Sequence, residues 1–97
     1  MDQPASTKEL RDEISDIDGQ IIDLIATRVD ITDELAKAKK RTSQGYWDES
    51  KEKEIIERYH NLCKEVSLTR DEAEQIAHVI LNISKARQKK IYDEEKH

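Results

Sequence analysis

The chain has 97 residues, 40% of them charged and only 4% aromatic, with no Phe and a formal net charge of −5 from 17 basic and 22 acidic side chains. That length makes one domain, two Gly and one Pro supply too few turns for a hairpin-rich fold, and the acidic balance argues against nucleic-acid binding. No run approaches about 18 apolar residues, the start lacks a basic-then-apolar leader, and the single Cys63 has no intrachain partner, so the composition predicts a small cytoplasmic all-α protein with no membrane segment.

The first helix is predicted over residues 7–40. Ser6 followed by Glu9 has the layout of a capping box. Leu10, Ile14, Ile17, Ile21 and Leu24 then step by fours and threes, a rhythm that resumes at Ile31, Leu35 and Ala38, while Ile22 and Ile25 widen the stripe. Gly19 lies off the stripe and does not break it. A helix of about 34 residues is roughly 50 Å long, whereas a compact chain of this size has a diameter of about 34 Å. One chain is too small to cover such a helix, so its apolar face requires a second copy, and an intertwined homodimer is expected.

The second helix, over 48–66, opens at the N-cap residue Asp48 and carries Ile55, Ile56, Tyr59, Leu62, Cys63 and Val66 on one face. The third, over 69–92, opens with Thr69 and Glu72 in capping-box spacing, with Leu68 and Ala73 at staple positions, and presents Ala73, Ile76, Ala77, Ile80, Ile83 and Ile91. The tail from Asp93 to His97 is too polar to pack and is expected to fray. Residues 1–97 thus read as one three-helix domain with no internal repeat.

Polar residues interrupt each of these stripes. Arg28 stands in the seam between Leu24 and Ile31. Lys39 follows eleven residues later, rotated by about 20° around the helix, so both cations share one face. Arg11 lies about 100° away from that face and reaches it only across a dimer axis. Glu52 falls one heptad before Tyr59, and Ser84 and Gln88 are i,i+4 neighbours on the inward face of the third helix. Each has a purely structural reading. The arginine can snorkel, Glu52 can complement a helix dipole, and Ser84 with Gln88 can form a register-fixing polar layer. Their coincidence on three helices instead describes a pocket for a small, polar, anionic ligand.

Other chemistries fit less well. His60 and Cys63 alone do not make a zinc site, and neither a glycine-rich phosphate loop nor a Ser-His-Asp arrangement is present. The basic cluster Lys85, Arg87, Lys89 and Lys90 complements the end of the last helix. Tyr46 and Trp47 are expected to cover the loop joining the first two helices.

Taken in order, Arg11, Arg28, Lys39, Asp48, Lys51, Glu52, Ser84 and Gln88 resemble the active-site pattern of the all-helical (AroQ) class of chorismate mutases, from the opening Leu10-Arg11-Asp12-Glu13-Ile14 to Gln88. The resemblance implies an entwined homodimer with two sites, each taking Arg11 from the other chain. It also implies the one-substrate [3,3] rearrangement of chorismate to prephenate in Phe and Tyr biosynthesis, without cofactor or metal. By the same resemblance, Arg28 and the partner's Arg11 clamp substrate carboxylates, and Lys51 and Ser84 assist at the ring carboxylate. Lys39 and Gln88 donate to the ether oxygen, while Glu52 and the backbone at Asp48 hold the ring hydroxyl. Lys39, Gln88 and Glu52 are therefore the expected catalytic groups.

Two features depart from that pattern. Lys51 stands where the family often has Arg, which removes a planar fork. Gly45-Tyr46-Trp47 replaces a local proline, which implies a looser loop before Asp48. The free site, with its cations grouped together, is expected to tighten on binding a dianion. Isochorismate-pyruvate lyases share the fold and the cationic positions but lack counterparts of Asp48 and Ser84, so the mutase is favoured over that alternative and over a non-catalytic helical dimerisation module. The sequence is compatible with a free-standing enzyme or a domain of a fusion.

Overall fold

A computed structural model describes residues 4–94. Three helices follow one another, α1 (Thr7–Arg41), α2 (Glu49–Glu65) and α3 (Arg70–Glu94), and there is no strand among the described residues. The fold is all-α, as the periodicity predicts, and α1 runs unbroken through Gly19.

Side-chain caps set the helix starts. Ser6 Oγ accepts from the Glu9 amide at 3.1 Å, and Asp48 Oδ1 accepts from the Ser50 amide at 2.9 Å. Thr69 and Glu72 close a reciprocal box, with the Thr69 amide 2.8 Å from Glu72 Oε1 and the Glu72 amide 3.0 Å from Thr69 Oγ1. Donation from the Thr69 amide, and secondarily from its hydroxyl, holds the Glu72 carboxyl below its ordinary range.

The first two helices end in the same way. After α1 the Gln44 amide returns to Lys39 O at 2.9 Å and that of Ser43 to Lys40 O at 3.1 Å; after α2 the Leu68 amide returns to Cys63 O at 2.9 Å and that of Ser67 to Lys64 O at 3.4 Å. Both are Schellman turns, and both place a serine in the left-handed region, at φ 59° for Ser43 and 62° for Ser67. A side chain there costs about 1–2 kcal/mol, partly offset by the extra freedom a glycine has when unfolded. Ser67→Gly should therefore stabilise the fold by about 0.5–1 kcal/mol, read as a higher thermal unfolding midpoint.

α3 packs against both other helices, which make no direct packing contact with each other. Ala36, Ala73 and Ala77 are completely buried, and Cys63, Ile80 and Leu81 complete the core. Alanines at these crossings let the helix backbones approach closely. Pairs that bridge the helices, Arg28 with Ser84, Asp33 with Arg87 and Lys40 with Tyr92, rise together in number. The C-terminal half of α1 therefore runs parallel to the C-terminal half of α3.

The N-terminal half of α1 is left uncovered by the other described residues. Ile14 is 56% exposed and Leu24 71%, and Leu10, Ile17, Ile21 and Ile22 are exposed with them. The molecule extends 66 × 26 × 15 Å with a radius of gyration of 17.8 Å, against about 13 Å for a compact chain of this length.

Some details differ from the expected pattern. Ile76 and Ile83 of the apolar face of α3 are exposed in the single chain, as are Leu62 and Val66 of α2, and Leu81, outside the expected stripe, is buried. The apolar faces of α2, which packs on α3 alone, and of α3 are wider than the area their neighbours within the chain cover. α3 also continues through Asp93 and Glu94, because Lys89–Asp93 at 3.0 Å and Lys90–Glu94 at 3.8 Å form i,i+4 pairs along its last turn. The remainder of that tail, 95–97, lies outside the described residues. α1 ends one residue later than expected, and Asp48 and Val66 flank α2 as caps.

Candidate active site

Because α1 and α2 stand apart while α3 touches both, a cleft opens between them, floored by α3 and closed at one end by the 42–48 loop. It holds a cavity of about 900 Å³ whose lining includes Arg28, Lys39, Asp48, Lys51, Glu52, Ser84 and Gln88. Seven of the eight residues singled out in the sequence thus meet in one chamber. The eighth, Arg11, is exposed on the uncovered half of α1 and is not part of the lining.

Ser84 and Gln88 are each only 3% exposed, one turn apart on α3. Arg28 Nη1 donates to Ser84 Oγ at 2.9 Å, and Lys39 Nζ donates to Gln88 Oε1 at 3.1 Å and to the Tyr46 carbonyl at 3.5 Å. Each cation therefore orients the neutral group beside it. With its oxygen engaged by Arg28, the Ser84 hydroxyl keeps its proton to donate. With Oε1 engaged by Lys39, the Gln88 amide is turned so that its NH₂ is the free end. Neither Arg28 nor Lys39 is paired with a carboxylate among the described residues; the groups that meet them are neutral. Two half-buried cations without counter-ions, flanked by oriented neutral donors, form an anion site.

The α2 wall is ordered differently. Asp48 spends its carboxylate on the helix start, accepting from the Ser50 amide and, at 2.7 Å, the Ser50 hydroxyl. The hydroxyl bond is the larger cause of a carboxyl held below its usual range. Lys51 stands exposed at the rim, 3.4 Å from Glu54. Glu52 turns inward and accepts from Trp47 Nε1 at 2.7 Å. That contact was not expected from the sequence. Trp47 and Glu52 occupy the N′ and N4 positions around the Asp48 cap, where an apolar staple is usual, and that spacing was the available signal.

The loop also carries tethers that the sequence reading did not supply. Tyr92 Oη donates to the Gln44 carbonyl at 2.6 Å, the Tyr46 and Tyr92 rings lie 5.8 Å apart, and Lys85 Nζ sits 5.5 Å from the centre of the Trp47 ring. Across the back of α1, Arg87 grips Asp33 with two bonds of 3.1 and 2.6 Å. That fork holds the Asp33 carboxyl below its ordinary range and fixes α1 against α3.

The chain is all-helical, with a polar, cation-lined chamber between its helices whose chemistry suits a small anionic ligand. The family model for chorismate mutase type II matches residues 10–89, and the chain belongs to that family, which makes it a chorismate mutase by descent and hence an isomerase. It is 31% identical over 86 residues to a chorismate mutase of Methanocaldococcus jannaschii, covering 89% of this chain and 87% of that protein. It is 32% identical over 81 residues to a bifunctional chorismate mutase/prephenate dehydratase of Buchnera aphidicola, covering 84% of this chain but 21% of the longer protein. No solved structure matches the chain significantly. No helix among the described residues is long and apolar enough to cross a membrane.

Proposed function

We propose that the chamber binds chorismate and that the chain rearranges it to prephenate, acting in the cytoplasm as a homodimer in which each site is completed by Arg11 of the partner subunit. The observation that carries the site assignment is the pair of counter-ion-free cations, Arg28 and Lys39, set on buried Ser84 and Gln88 across one cavity. The substrate is a flexible dianion, and the reaction needs no nucleophile and no external proton donor. Two tasks remain for the protein. One is to hold the compact conformer in which the reacting carbons approach. The other is to stabilise negative charge that grows on the ether oxygen as its bond to carbon breaks.

Arg28 serves the first task by fork-like contact with a carboxylate, assisted by Ser84 and, from the rim, by Lys51. Lys39 Nζ and the free amide end of Gln88 serve the second, as two adjacent donors that converge on the ether oxygen. Glu52 and the backbone at Asp48 hold the ring hydroxyl. Arg11 is distant from the chamber of its own chain, but the bare apolar stripe beside it, from Leu10 to Leu24, is a surface that a second α1 can cover. Such an arrangement carries the arginine to the other site. Even modest enzymatic acceleration requires about 8 kcal/mol from these effects together.

The test is incubation of purified protein with chorismate, following its ultraviolet absorbance and identifying the product. Prephenate is expected. Pyruvate from isochorismate, with no prephenate from chorismate, would assign the lyase reaction instead, and turnover of neither would leave a dimerisation module.

A further inference from the structure

Among the carboxylates around the chamber, Glu52 is held in an unusual way. Asp48 is engaged by Ser50 and Glu54 lies beside Lys51, but the partner of Glu52 is an indole N–H, a rigid neutral donor 2.7 Å from Oε2. Trp47 is itself half-buried and lines the cavity. Its ring meets Lys85 of α3, and its backbone immediately precedes the Asp48 cap. The indole thus has little freedom to swing, and neither has the carboxylate bonded to it.

We propose that Trp47 is a positioning residue, whose N–H fixes Glu52 so that Oε1 is presented to the hydroxyl of a ligand in the chamber; this assignment rests on the proposed function. The neutrality of the donor matters. A lysine or arginine at this place would cancel the carboxylate charge, whereas the indole leaves that charge intact while removing its rotational freedom. Glu52 can then accept a hydroxyl proton and repel a carboxylate, so a dianionic ligand is driven to place its charges at the Arg28 and Lys39 end and its hydroxyl at the α2 end. Trp47 acts on the orientation of the substrate, through Glu52, without touching the reacting atoms.

The test compares Trp47→Phe, Glu52→Ala and the double variant. Trp47→Phe keeps an aromatic ring at the position and removes the N–H together with the pyrrole part of the indole, and the double variant separates the lost bond from the lost bulk. Trp47→Phe should lower kcat/KM about tenfold, the size of one charge-assisted hydrogen bond, with most of the loss in KM. Glu52→Ala should lower kcat/KM further, and adding Trp47→Phe to it should cost nothing more, because the indole then has no carboxylate to hold. Full multiplication of the two losses in the double variant would overturn the proposal, since a merely structural role for Trp47 persists without Glu52. An unchanged KM in Trp47→Phe beside an impaired Glu52→Ala would also overturn it while leaving the chorismate reading intact. An unimpaired Glu52→Ala would contradict both the inference and the place given to Glu52 in the site.

Discussion

Lys39→Ala is expected to lower kcat about a hundred- to a thousandfold, the usual consequence of deleting one donor aimed at developing negative charge in a site shielded from water. The substitution removes two things. It takes away the ammonium proposed to face the ether oxygen, and it releases Gln88, whose Oε1 accepts the 3.1 Å bond from Lys39 Nζ. Gln88→Ala should therefore reproduce much of the loss, and the double variant should fall well short of the product of the two single losses. Steady-state kinetics on the three variants checks this. Helicity should be unchanged, because the Lys39 side chain lies outside the buried core, and Lys39 serves the helix end through its backbone carbonyl, which alanine keeps. A chain that served only to dimerise would show no loss in any of them.

Arg28→Ala is expected to act mainly through affinity, with kcat/KM falling about a thousandfold. Truncating a desolvated charge that is bonded to its ligand costs about 3–5 kcal/mol. Carboxylates are present in substrate and transition state alike, so most of this loss should appear in KM. Arg28→Lys should recover little of it. An ammonium restores the charge but not the planar fork, and it cannot place one nitrogen on Ser84 Oγ at 2.9 Å while presenting others to a carboxylate. Kinetics at a series of chorismate concentrations separates the two parameters. A variant that lost kcat at unchanged KM would contradict the clamp.

Most of the fold was legible because it obeys local rules. The caps at Ser6, Asp48 and Thr69 follow from residue type and spacing, and the helices follow from a period that 97 residues repeat almost throughout. The grouping of the candidate site was legible for a related reason. Arg28, Ser84 and Gln88 are polar groups on faces the period turns inward, and such groups require partners. What periodicity does not contain is which apolar face the chain itself covers. Ile76 and Ile83 share the rhythm of Ile80, yet they stay exposed in the single chain while Ile80 is buried. Leu24 and Ile14 belong to the strongest stripe of all and remain bare. Contacts of the 42–48 loop were equally hidden. The bonds from Trp47 to Glu52 and from Tyr92 to Gln44 depend on how a non-periodic segment is folded back over helix ends.

The most direct test of the account is complementation between two inactive variants, Arg11→Ala and Lys39→Ala, refolded together. If each chamber draws Lys39 from one chain and Arg11 from the other, a mixed dimer contains one site with both residues intact and one with neither. Random pairing makes about half of the dimers mixed, so activity should return to about a quarter of that of the unaltered protein. No recovery above the sum of the two parents would contradict a chamber shared between two copies of the chain.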